Sequence, residues 1–66
     1  MKIKLYNIDN NNIINSLRNI TYMPRIGEKI KIGDSEGIIT YLVKDIVSWI
    51  ELNELRIYVS IINKRI

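Results

Sequence analysis

The 66-residue chain contains no cysteine, no histidine, no alanine and no phenylalanine. Without cysteine, neither a disulfide nor a thiolate zinc site can staple the fold. The lack of histidine removes the commonest remaining transition-metal ligand, and with it the usual base that activates a serine nucleophile. Alanine is the strongest helix former, so its absence beside sixteen isoleucines and eight asparagines tilts the composition toward sheet. Acidic residues are also few: seven against ten basic ones, a net charge of +3. That is mildly basic, and too little to identify a nucleic-acid binder by itself.

Long apolar runs are missing as well. No stretch approaches the ~20 residues of a membrane helix, and the alternating opening Met1-Lys2-Ile3-Lys4-Leu5-Tyr6 lacks the apolar core of a signal peptide. The expectation is a soluble cytoplasmic protein with no membrane contact and no cofactor or metal. The length fits one domain over residues 1–66. With 47% of residues hydrophobic in so short a chain, packing cannot hide them all, and self-association is expected to contribute.

One short stretch suggests catalysis. Gly33-Asp34-Ser35-Glu36-Gly37 fits G-x-S-x-G, the nucleophile elbow of serine hydrolases. The elbow needs a helix after the serine, yet Ile38-Ile39-Thr40-Tyr41-Leu42-Val43 is β-branched and aromatic and reads as a strand. A desolvated lysine could replace histidine only in a deep apolar pocket, for which the chain is too small. Residues 33–37 are therefore read as a hairpin loop in which Ser35 is a turn residue. The carboxylates Glu28, Asp34, Glu36, Asp45, Glu51 and Glu54 are scattered without a spacing that favours acid–base or metal chemistry, and no catalytic residue is assigned.

The pattern along the chain is of strands. Residues 2–8 alternate, with Ile3 and Leu5 on one face and Lys2, Lys4 and Tyr6 on the other. Asp9-Asn10-Asn11-Asn12 is a turn cluster. Ile13–Tyr22 is read as a second strand in a hairpin with the first, with a short helix as the alternative. Pro24 stops what precedes it. Residues 27–32 alternate again, setting Ile26, Glu28, Ile30 and Ile32 against Lys29 and Lys31. A long strand to about Ile50 follows, its apolar face formed by Ile39, Tyr41, Val43, Val47 and Trp49 and interrupted by Asp45. Tyr41 and Trp49 are assigned to the core, while Asp45 marks either a bulge that turns it outward or an ion pair. After a turn at 52–55, Leu55, Ile57, Val59 and Ile61 point inward and Arg56, Tyr58 and Ser60 outward, before a frayed tail at 63–66. Four or five strands in meander order predict an all-β fold, a small antiparallel SH3-like barrel or a curved sheet.

Two resemblances bear on this. Arg25-Ile26-Gly27-Glu28-Lys29-Ile30-Lys31-Ile32-Gly33-Asp34, with Asn53-Glu54-Leu55-Arg56-Ile57, resembles the carbon storage regulator family of RNA-binding β-proteins. Kinship would imply an intertwined homodimer that binds GGA-containing messenger RNA. Twenty-four residues precede Arg25, however, Pro24 stands where the family carries an arginine, and the family's distal Ala-Pro element has no counterpart. The resemblance therefore transfers no RNA-contacting residue. Pro24-x-Ile26-Gly27-Glu28, then Tyr41-x-Val43-x-Asp45-Ile46, then Trp49 looks like small SH3-like proteins of phages and their bacterial hosts, mostly of unassigned function. That likeness implies a barrel and a mobile-element setting, and names no ligand.

Two function classes remain. The first is a non-catalytic protein-binding module, self-associating or acting as a small inhibitor or adaptor on a larger partner, through surplus apolar side chains or strand edges. The second is binding of RNA or single-stranded DNA. Lys2, Lys4 and Tyr6 share one strand face, Lys29 and Lys31 another, and Arg56 and Tyr58 a third; if adjacent, these would form a basic, aromatic surface. Alternating lysines equally serve as the solvated side of amphipathic strands.

Overall fold

The computed structural model describes residues 2–16, 23–34 and 37–65, the side chains of 15, 16, 34, 64 and 65 excepted. The chain is all-β, as expected, and forms one five-stranded sheet from β1 (Lys2–Asn7), β2 (Ile13–Ser16), β3 (Lys29–Asp34), β4 (Gly37–Trp49) and β5 (Glu54–Arg65). The order across the sheet is β2-β1-β5-β4-β3. Strands β1–β2 and β3–β4–β5 pair antiparallel with their chain neighbours. The two groups meet where β1 lies parallel to β5, from Lys2↔Glu54 to Asn7↔Val59. This parallel pair departs from the expected antiparallel meander. The gain is apolar: beside β5, Ile3 and Leu5 extend the face that carries Leu55, Ile57 and Val59.

The loops follow from their residues. Backbone bonds Asn11 N–H to Asn7 O (2.7 Å) and Asn7 N–H to Asn12 O (2.8 Å) close the β1–β2 turn. The Asn7 and Asn10 side chains accept from the amides of Asp9 and Asn12, each at 2.9 Å, and Asn11 takes a positive φ of 59°. Strand β2 begins at Ile13, in accord with the strand reading; residues 17–22 of that stretch lie outside the described residues. Asp34 pairs with Gly37, so the G-x-S-x-G motif is a hairpin with a strand on each side. Ser35 and Glu36 are outside the described residues. The β4–β5 turn starts earlier than predicted, as a 3-10 turn over Ile50–Leu52 closed by Asn53 in the left-handed region, φ 50°. Glu54 already belongs to β5. The expected frayed tail is instead strand, with Asn63, Lys64 and Arg65 paired to Thr40, Ile39 and Ile38.

Besides a register shift at Ile14 in β2, two bulges set which side chains of β4 and β5 face the core. Val43 pairs with Val59 but Asp45 with Tyr58, so Lys44 is an extra residue in β4. Thr40 pairs with Asn63 but Tyr41 with Ile61, so Ile62 is an extra residue in β5. Before the first bulge Ile39, Tyr41 and Val43 face inward; after it the phase shifts and Ile46 does. Val47 and Trp49 therefore fall on the opposite face and are exposed, which corrects their assignment to the core. Asp45 is turned outward, exposed, and accepts from the Ile46 amide at 2.9 Å.

The core is the inner face of the sheet. Leu5, Tyr41, Val43, Ile57 and Val59 are buried together, and Ile3, Ile14, Ile30, Ile32, Ile39 and Ile46 pack around them. Burial of each large side chain is worth about 1.5–3 kcal/mol, which is what holds a chain without staples. Leu55 is buried on the same face, whereas Ile61, expected inward, is exposed beyond the end of β1. Among the described residues no helix is long and apolar enough to cross a membrane.

Candidate binding face

Residues paired across neighbouring strands share a face, so the register fixes the composition of the outer side of the sheet. Three rows run across β4, β5 and β1: Trp49–Glu54–Lys2, Val47–Arg56–Lys4 and Asp45–Tyr58–Tyr6. Beyond the β4 bulge, Lys29–Leu42–Ser60 and Lys31–Thr40–Asn63 continue the same face onto β3. All seven residues singled out in the sequence, Lys2, Lys4, Tyr6, Lys29, Lys31, Arg56 and Tyr58, thus lie on one side of the sheet. The first three and the last two are neighbours; Lys29 and Lys31 sit apart on the far strand.

Glu54 opens β5 in the first of these rows, between Trp49 and Lys2, and is only 4% exposed. Its Oε1 is 2.6 Å from Lys4 Nζ, and its Oε2 accepts from Arg56 Nε at 2.7 Å. A buried carboxylate is costly unless paired and hydrogen-bonded, and here one carboxylate is shared by two cations. The Lys4 hydrogen bond first, and the Arg56 bond next, hold the Glu54 carboxyl below the usual carboxylate range. The same bond raises Lys4, partly offset by its desolvation. Arg56 is raised too, by Glu54 and then by the Tyr58 hydroxyl.

The aromatic side chains complete the array. The Tyr6 and Tyr58 rings stack with centroids 5.5 Å apart and 27° between planes. The Arg56 guanidinium lies 5.2 Å from the Tyr6 ring centre and 4.5 Å from that of Trp49. Both distances fall within cation–π range. Arg56 is thereby held on three sides, by two rings and a carboxylate. Chemically, this is a fixed aromatic and cationic surface.

Sequence reasoning missed two members, Trp49 and Glu54. Trp49 was misplaced because strict alternation ignores the bulge at Lys44; the out-of-phase Asp45 was the available signal. Glu54 was read as a turn residue because the turn was set two residues late. The paired positions with described side chains carry five cations (Lys2, Lys4, Lys29, Lys31, Arg56) against two carboxylates (Asp45, Glu54), an excess of +3. Lys2, Lys29 and Lys31 are exposed. No family model, no curated protein and no solved structure matches the chain.

Proposed function

We propose that the chain is a non-catalytic protein-binding module that self-associates or docks as a small inhibitor or adaptor on a larger partner. The supporting observation is an apolar surplus: among the described residues eleven large hydrophobic side chains are exposed and six are buried. Scattered surface isoleucines are ordinary in any protein. Val47, Trp49, Ile50 and Leu52 are not scattered; they follow one another along the end of β4 and its turn, and Ile50 is 83% exposed. Contiguous apolar surface of this kind marks an interaction site.

Within the sheet, β4 and β5 each leave a stretch without a partner strand on one side. The unpaired stretch of β4 begins at the Lys44 bulge, where β3 ends, and that of β5 begins beside the Ile62 bulge, where β1 ends. Bulges and charges at such places blunt an edge against further pairing. A small accessory protein of a phage or another mobile element is the biological setting this reading suggests.

The test is the solution mass as a function of protein concentration at two salt concentrations, for the native chain and for a double variant, Ile50→Ser with Leu52→Ser. The expected result is a dimer or larger species that salt does not dissolve and the double variant does. A chain that stays monomeric at every concentration, and whose solubility the double substitution leaves unchanged, would sink the reading.

A further inference from the structure

We propose that the outer face of the sheet binds single-stranded nucleic acid, with Trp49 as a base-stacking platform and Lys2, Lys29 and Lys31 as phosphate contacts. This goes beyond the protein-binding reading, which rests on a different property, the apolar surplus. Charge complementarity comes first: the face holds an excess of +3, as counted above, and its three fully exposed lysines make no ion pair among the described residues. They lie at both ends of the face, Lys2 on β1 and Lys29 and Lys31 on β3, so a bound polyanion would cross all the strands between them.

Stacking is the second argument. Arg56 lies 4.5 Å from the Trp49 ring centre, yet the indole remains 43% exposed. The ring is therefore held in position and still open to a ligand, and a fixed platform loses little entropy on binding. Glu54 strengthens this arrangement, because by holding Lys4 and Arg56 it fixes the guanidinium under the indole. Bases stack on such platforms with little sequence preference. A duplex offers no unstacked base to Trp49, and an acidic polypeptide offers charge without stacking.

The experiment uses the native protein and four probes: a twelve-residue oligouridylate, an oligothymidylate of the same length, a DNA duplex, and poly-glutamate. Trp49 is the only tryptophan, so its fluorescence reads stacking directly. Both single strands are expected to bind and quench it. With about four effective cations (the three free lysines and the one positive charge left over in the Lys4–Glu54–Arg56 group), the log–log salt slope should be about −3, or about 50-fold weaker binding between about 50 and 200 mM salt. Lys29→Glu with Lys31→Glu alters only exposed edge positions and should roughly halve that slope. Followed by the anisotropy of a labelled oligothymidylate, since these variants carry no tryptophan, Trp49→Ala should weaken binding by about tenfold, and Trp49→Phe should restore part of it.

Binding of the single strands without quenching would overturn the proposal, as would equal binding of the duplex or of poly-glutamate, since either would mean charge alone. Absence of any binding at low salt overturns it outright. None of these outcomes depends on how the alanine variant folds.

Discussion

Replacing Leu5 by alanine tests the least expected feature of the fold, the parallel insertion of β1 beside β5. Leu5 is fully buried, pairs with the equally buried Ile57, and packs in one cluster with Tyr41, Val43 and Val59. Truncating a buried leucine costs about 3–5 kcal/mol, the transfer of the lost atoms plus the cavity left behind. Only one strand, β2, separates β1 from the sheet edge, so the site can relax and the lower end, about 3 kcal/mol, is the better expectation. Domains of this length are stable by roughly 3–10 kcal/mol in total. The variant should therefore keep between about 0 and 7 kcal/mol, with a urea midpoint lowered by about 3 M for a slope near 1 kcal/mol/M. Urea titration followed by Trp49 fluorescence and by circular dichroism measures this, and coincidence of the two probes checks two-state behaviour. Ile26→Ala is the control: at 62% exposure, and away from the Val47–Leu52 patch, it should change stability by no more than about 0.5 kcal/mol. A loss below about 1 kcal/mol for Leu5→Ala would mean that β1 does not pack on β5, and the topology would have to be redrawn.

Two further predictions follow from the outer face and the β4 bulge. Because the folded-state pKa of Glu54 is depressed, its contribution is present above the unfolded value of about 4.3 and is lost as the pH falls through the lower folded value. Lys4, with a raised folded-state pKa, contributes below its unfolded value of about 10.4 and loses that contribution as the pH rises through the folded value. Urea midpoints should therefore decline at both extremes, and Glu54→Gln should flatten both limbs; an unchanged acid limb in that variant would refute the assignment. Asp45, turned outward by the bulge and bonded only to the neighbouring amide of Ile46, behaves as a surface position. Asp45→Asn should change stability by less than about 0.5 kcal/mol, and a loss above 1 kcal/mol would indicate a buried partner for the carboxylate.

What the sequence made legible was mostly local. Alternation in residues 2–8, 27–32 and 55–61 identified strands and, Ile61 excepted, their inward faces, because side-chain direction in a regular strand is set by the neighbouring residues alone. The Asn cluster and the Gly33–Gly37 hairpin were legible for the same reason. The parallel β1–β5 pair was not, since no local signal distinguishes a strand that joins its chain neighbour from one inserted beside a distant partner. Bulges are the second limit. Asp45 betrayed a break in phase, but the inserted residue is Lys44, and every face assignment beyond it, including Val47 and Trp49, reversed. Of the binding face, the basic and tyrosine positions were readable strand by strand; their union needed the register, and Glu54 needed the true start of β5.

The outer face has two roles that cannot be separated where β5 begins. Glu54 is buried there, and its bonds to Lys4 and Arg56, with the stacking around Arg56, stabilise the side of the sheet opposite the core. Substituting Arg56 or Tyr6 would remove one of the partners of Glu54 or of Arg56, so a loss of binding in such a variant would not distinguish contact from misfolding. The periphery does not share this ambiguity. Lys29 and Lys31 lie on β3, exposed and outside the Glu54 cluster. A surface that only solvates the sheet should tolerate reversal of their charge with no consequence beyond solubility. One that holds a polyanion should show a shallower salt slope while the thermal and urea midpoints stay put. The lysines farthest from the most densely bonded residues are therefore the decisive positions for the function of this face.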